Sequence, residues 1–331
     1  MTFDSNPSDS NPSDLTQSLT VGNVVNGGFR LYRSNLKSYL KVSAVSTLWA
    51  LIPFLAAIPI VLFYVNVQRY YNVLGLIIPA WLVLAAYCSA QYMANSAAIA
   101  RLAFGELINQ PETVKTAYRY TNARKWRFLG MGALLSLLYF GVAIGMYLIA
   151  GILIVIMFAS IGGAEFLRSP ASAAVINPGL AIFAALVILA IILIFIIVFT
   201  WFSMRFSVAE LPLAVESDVT VTKTIGRSWD LTQKSVWRIF VILLVTFLVT
   251  LPIQFLVQIL ATVAQGAIAA FYPQESSIFL ALTYAFTYLL GLATGIVIMP
   301  LWQTIKAVIY YDLRSRREGL GLQLRDTEPL T

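Results

Sequence analysis

Polar and apolar positions along this chain alternate on two scales. On the longer scale, six apolar runs stand between polar stretches. They lie near Tyr39–Tyr64, Val73–Phe104, Phe128–Ile161, Pro178–Phe206, Ile239–Gln265, and from Ser277 past Pro300 into Tyr310–Arg314. Each exceeds the ~20 residues needed to cross ~30 Å of hydrocarbon, so each predicts a membrane-spanning helix. The surplus length predicts tilt, or helices that protrude beyond the bilayer. Asn177 followed by Pro178 predicts the start of the fourth span, an Asn cap with Pro at the first helical position.

On the shorter scale, a helical periodicity precedes every second run. Val25, Phe29, Tyr32 and Leu36 share one helix face, with Arg30, Arg33 and Lys37 off it. Val114, Tyr118 and Thr121 repeat the pattern beside Lys115 and Arg119, and Arg124, Lys125 and Arg127 bracket Trp126. Val221, Ile225, Trp229, Thr232 and Val236 give the strongest copy, with Arg227, Lys234, Trp237 and Arg238 around it. These stretches predict basic amphipathic helices lying in the membrane interface.

The copies share a register. Val25, Val114 and Ile225 align, then Phe29, Tyr118 and Trp229, then Tyr32, Thr121 and Thr232. Pro53, Gly141 and Pro252 recur at matching places in the spans that follow. A cation then precedes an acid at the end of each second span: Arg101 and Glu106, Arg205 and Glu210, Lys306 and Asp312. The expectation is an all-α integral membrane protein of about six spans. They would form three hairpins, each preceded by a basic interfacial helix, as parallel pseudo-repeats about an axis along the membrane normal. The modules are 20–110, 111–212 and 213–314. A polar tail, 1–19, repeats Asp-Ser-Asn-Pro-Ser and predicts disorder, without the pattern of a signal peptide. Residues 315–331 form a second tail.

Composition agrees with the pattern: 59% of the 331 residues are hydrophobic and only 11% charged, against roughly 25% charged in soluble domains. The net charge of +7 is therefore read by its position relative to the membrane, not as a nucleic-acid surface. All of the 22 Lys and Arg except Arg69 and Arg168 lie in the tails, the short helices or the connections on one side. The positive-inside rule then places both termini in the cytoplasm, in a bacterial inner or internal membrane. The basic collar suits anionic lipid, or serves only to fix orientation.

The chemistry-bearing residues are few. There is no histidine, which removes the commonest general base and transition-metal ligand. The single Cys88 lies in an apolar run and reads as a small buried hydrophobe. No phosphate-cradling loop, nucleophile elbow or paired-cysteine spacing is present. Glu106, Glu210, Glu216, Asp218 and Asp312 all fall at the charged boundary near Arg or Lys, as ion-paired helix ends. No Asp, Glu, Lys or Arg lies at the centre of a span, which disfavours proton-coupled transport. Gln91 and Asn95 in the second span, and Gln254 and Gln258 in the fifth, are either interhelical hydrogen-bonding amides or the lining of a polar cavity. Gly141 with Gly145, and Gly291 with Gly295, have the spacing of close helix packing.

The segment Ser228-Trp229-Asp230-Leu231 with Trp237-Arg238, and the ending Tyr310-Tyr311-Asp312-Leu313-Arg314-Ser315-Arg316-Arg317-Glu318-Gly319-Leu320, resemble the membrane domain found beside some bacterial glycerophosphodiester phosphodiesterases. The resemblance is clearest over about 200–325. It implies a helical membrane domain and no particular activity. The fused phosphodiesterase part needs clustered carboxylates and histidines around a metal, which this chain lacks. The expected function is non-enzymatic, with no cofactor and no metal. The protein would organise membrane lipids, anionic ones above all, or partner membrane proteins, as a homo-oligomer or within a larger complex and without nucleic acid. A transporter or permease subunit with a cavity between the hairpins is the alternative.

Overall fold

The computed structural model describes residues 20–66, 71–160 and 178–319. The polar tails, Asn177 and the loops holding Arg69 and Arg168 lie outside the described residues. All regular structure within them is helical. The helices are α1 (Val21–Ser34), α2 (Leu36–Asn66), α3 (Tyr71–Leu107), α4 (Val114–Ala123), α5 (Lys125–Ser160), α6 (Pro178–Arg205), α7 (Glu210–Val215), α8 (Val221–Thr232), α9 (Val236–Ala269) and α10 (Ser277–Glu318). Six of them, α2, α3, α5, α6, α9 and α10, are long and apolar enough to cross a membrane. They coincide with the six apolar runs.

The three short basic helices, α1, α4 and α8, begin in the same way. Thr20, Thr113 and Thr220 have extended backbones, and each side chain accepts from the amide three residues on, in Asn23, Thr116 and Lys223. Such a cap satisfies one of the donors a helix start leaves open. The ends also correspond. The next helix starts seven residues after Phe29, Tyr118 and Trp229 alike, at Leu36, Lys125 and Val236. Each short helix buries small residues on one face: Gly28, Ala117 and Ser228 stand one position before those aromatics. The first fully covered residues of the spans also match, at Tyr39, Phe128 and Ile239.

The described residues divide into two compact units. The larger comprises the segments up to Gly130 and from Ser207 onward. Its centre is the pair α3 and α10. α3 packs on α2, α4 and α7, while α10 packs on α1, α2, α8 and α9. A face of α3 made of Ala90, Ala94, Ala97, Ala98, Ala100 and Ala103 is almost completely buried. Small side chains let helix backbones approach closely where lipid offers no hydrophobic drive. Gly28 meets α10 most tightly: a Cβ there would lie 2.4 Å from Ile305 Cγ1. At Gly141, Gly145, Gly291 and Gly295, by contrast, an added Cβ meets nothing within 4 Å. The close packing expected at those glycines is carried within the chain by the α3 alanines and Gly28.

α10 runs for 42 residues, about 60 Å at 1.5 Å per residue, roughly twice a hydrocarbon core. Ser276 caps its start through the Phe279 amide, and Gly319, with φ of 66°, closes its end in the left-handed region. Pro300 leaves the Ile296 carbonyl without its helical amide. The adjacent Val297 carbonyl accepts from the Tyr32 hydroxyl of α1.

The smaller unit, Met131–Phe206, contains most of α5 and all of α6. Tyr147 meets Phe195, and Tyr139 meets Phe199 and Phe202, so the two helices run antiparallel with aromatic rings between them. Most of their large aliphatic side chains point outward, as helices surrounded by lipid do.

Candidate functional site

The charged side chains of the larger unit gather at one end of its spans. The short α7, which the polar and apolar pattern left undetected, lies among them. Leu211, Leu213 and Ala214 of α7 are fully buried. A six-residue helix ends in carbonyls with no amide to meet them. Arg101 donates to the Ala214 carbonyl at 2.8 Å, and Arg124 donates to the carbonyls of Leu213, Glu216 and Ser217. Cations at a helix C-terminus also complement its dipole. Both guanidinium groups stack on Tyr120, at 3.7 and 4.1 Å from the ring centre, and the Tyr120 hydroxyl donates to the Glu216 carbonyl.

The helix-end charges are paired between elements. Arg101 pairs with Glu112, Lys306 with Glu210 at 2.6 Å, and Arg238 with Asp312 at 2.7 Å. Asp312, which is buried, also receives Arg316 one turn on. Glu106 accepts from the Asn35 side chain at the break between α1 and α2. The sequence pattern placed each acid next to the cation preceding it on the same helix end. The packing of different helices against α3 and α10 supplies other partners. Arg205 is buried at the end of α6, in the smaller unit, with Trp201 beside it.

A second cluster surrounds Arg227. It pairs with Glu216 at 2.8 Å and Glu318 at 2.9 Å, and Tyr310 donates to Glu216. Burial works to lower the pKa of Arg227, but Tyr310, Glu216 and Glu318 outweigh it and hold the guanidinium charged. Arg314 reaches Glu318 and, at 4.0 Å, Glu216. The two distinctive sequence stretches, around Trp229 and around Tyr310–Glu318, are thus bound to each other through α8, α9 and α10.

The other residues of the basic collar have different fates. Arg30, Arg33, Lys37, Arg127 and Lys234 are exposed. Trp126 and Trp237 are 57% and 75% exposed, while Trp229 is half-buried. Lys125 lies over the Tyr87 ring. The collar residues therefore separate into an outward set and a set, Arg124, Arg227 and Arg238, engaged inside the protein.

The four amides proposed for one cavity are not brought together on one surface. Gln91 and Asn95 are buried on α3, whereas Gln254 and Gln258 are exposed on α9. Gln91 donates to the Tyr87 hydroxyl. Asn95 stands near the Tyr118 hydroxyl, but its amide atoms lie outside normal hydrogen-bond geometry. A cavity of about 430 Å³ does open between α3, α7 and α10. Its polar wall is Ser96, Glu210, Gln303 and Lys306, and its apolar wall includes Met93, Ile298 and Met299. Gln303 escaped the sequence reading. Its signal is weak: a single amide one turn before Lys306, on the same helix face.

Residues 180–320 match the family model described as the membrane domain of glycerophosphoryl diester phosphodiesterase. Over this segment, less than half of its length, the chain is similar to that membrane-domain family. The pairs of Arg227, Arg238 and Lys306 all lie within the matched segment, which supplies both partners of each. The match is to the membrane part and does not include the catalytic domain. Neither a curated protein nor a solved structure matches the chain. Among the described residues no group of His, Cys, Asp and Glu is arranged to hold a metal ion.

Proposed function

We propose that this multi-pass membrane protein is non-enzymatic and organises lipids or partner membrane proteins through a basic, aromatic collar. The observation that carries the reading is the division of the collar. Arg124, Arg227 and Arg238 are engaged in contacts that stiffen the charged end. Arg30, Arg33, Lys37 and Lys234 remain on the outside, with Trp126 and Trp237 exposed nearby in sequence. Outward cations near anionic lipid contribute about 1 kcal/mol each, and tryptophan favours the headgroup level.

The common helix break after Phe29, Tyr118 and Trp229, with the common threonine caps, supports three related modules, each a short interfacial helix followed by a hairpin. The asymmetry of Lys and Arg supports cytoplasmic termini in a bacterial inner membrane. Gln254 and Gln258 support a partner helix, since an amide on the outer face of a span lacks water and needs a hydrogen-bonding neighbour. A second copy of the chain or another membrane protein would supply it. The separation of these two glutamines from Gln91 and Asn95 removes the main support for a transport cavity between the hairpins.

The test is the lipid carried by the purified protein. A variant combining Arg30→Gln, Arg33→Gln, Lys37→Gln and Lys234→Gln should co-purify with severalfold less phosphatidylglycerol and an unchanged amount of neutral lipid. Equal anionic lipid on the variant and the parent would leave the collar as an orientation signal only.

A further inference from the structure

The cavity between α3, α7 and α10 has no part in the collar reading and does not rest on it. Its polar wall joins one cation and one anion. Lys306 Nζ lies 2.6 Å from a Glu210 carboxylate oxygen, and both side chains keep part of their surface open, 26% and 16%. Beside them Gln303, only 4% exposed, donates through Nε2 to Ser96 Oγ at 2.6 Å. Its Oε1 is buried with no hydrogen-bond partner. A buried acceptor left unmatched is costly, and a turn of the Gln303 amide toward the cavity it lines would bring that oxygen to a ligand's donor.

The rest of the cavity is suited to a lipid. Tyr92 and Trp302 flank the polar wall, and Met93, Gly295, Ile298 and Met299 continue it along the apolar part of α3 and α10. Gly295 has no neighbour within 4 Å of where its Cβ would be, which keeps the space open. The charged wall stands at the end of the spans where headgroups lie. From the charged end inward, the polar wall, the aromatic residues beside it and the apolar extension follow the profile of a phospholipid from headgroup to acyl chain.

The balance of charge selects the headgroup. A purely anionic group would meet Glu210 as well as Lys306, and a purely cationic one would meet Lys306. A headgroup with both charges satisfies both walls. We propose that this cavity binds a phosphoethanolamine headgroup, its phosphate toward Lys306 and its ammonium toward Glu210 and Gln303. A primary ammonium has N–H donors for the carboxylate and the unmatched amide oxygen. A choline headgroup carries the same charges without any N–H donor, so it discriminates hydrogen bonding from charge alone.

The experiment offers the full-length protein in detergent equal amounts of ethanolamine, choline and glycerol phospholipids with identical acyl chains. Bound lipid is counted by native mass spectrometry. The ethanolamine lipid should be retained severalfold over the other two. Glu210→Gln and, independently, the near-isosteric Gln303→Met should each reduce the ethanolamine-over-choline ratio severalfold. Equal retention of the three lipids by the parent protein overturns the proposal. So does a ratio unmoved in both variants, provided they elute and melt as the parent does. The collar variant separates the two ideas: it should lose phosphatidylglycerol while keeping the ethanolamine-over-choline ratio. Soluble glycerophosphoethanolamine carries the same headgroup. If it displaces the lipid, the headgroup suffices; if it does not, the acyl chains add to binding. Either result supports the assignment.

Discussion

Asp312 is buried between two arginines, Arg238 from α9 and Arg316 from its own helix. Removing Arg238 leaves the buried carboxylate with Arg316 alone, so the cost is part of the about 3 kcal/mol of a fully stranded buried charge. Arg238→Leu should therefore lower the thermal midpoint in detergent. Arg238→Leu with Asp312→Leu should recover part of the loss, because no charge is then stranded; a double-mutant cycle measures the coupling. Two tyrosines of the short helices give a pH dependence. Burial raises the pKa of Tyr32 and, against contacts to Trp49 and Asn95, that of Tyr118. Their folded pKa values lie above the unfolded ones, so this contribution is fully present below about pH 10 and is lost as pH rises past it. The fold should weaken in alkali, and Tyr32→Phe with Tyr118→Phe should weaken less steeply in a melting series above pH 10.

At the scale of elements, α1 is fixed to α10 by a contact that admits no side chain. A methyl group at Gly28 would meet Ile305 Cγ1 at 2.4 Å and the Ile305 Cα at 3.1 Å. Overpacking of this kind costs roughly 1–3 kcal/mol. Gly28→Ala should destabilise by that order, and Ile305→Ala should restore only part, since the backbone atom remains. α9 carries its amides on the opposite kind of surface. Gln254 and Gln258 lie one turn apart and exposed. Gln254→Leu with Gln258→Leu should reduce association of the purified protein, measured as mass by light scattering in detergent. An unchanged mass would remove these amides from any partner contact.

At the scale of the whole molecule, the topology reading can be tested with the chain's one cysteine. Cys88 is fully buried and should resist a membrane-impermeant maleimide. In a Cys88→Ala background, Lys234→Cys should react only from the cytoplasmic side and Arg69→Cys only from the opposite side. Labelling of both from one side would refute the assignment of the collar to the cytoplasm. Stability and function are also separable at this scale. The engaged arginines hold helices together, so changing them should lower stability first. Among the described residues, Arg30, Arg33, Lys37 and Lys234 join no such network, so changing them should alter bound lipid and leave melting nearly unchanged.

The six spans and the three short helices were legible from the chain alone because both rest on local periodicity. An apolar run long enough to cross hydrocarbon must be helical, since its backbone has no water to bond. A recurring aromatic and basic pattern marks where each short helix sits. The helix breaks could not be read: the periodic face continues through Leu36 and Val236, where the structure starts the next helix. Nor could partnership. Sequence adjacency suggested Lys306 with Asp312 and Arg101 with Glu106, but helices from distant parts of the chain bring Glu210 and Glu112 instead. α7 was invisible because six residues carry too little period to stand out. Gln303 beside Ser96, and the exposure of Gln254 against the burial of Gln91, depend on which face each helix turns to its neighbours. The apolar pattern says that a span is in the membrane. Only packing decides which of its polar residues meet protein and which meet lipid, because lipid is as apolar as the helices it surrounds.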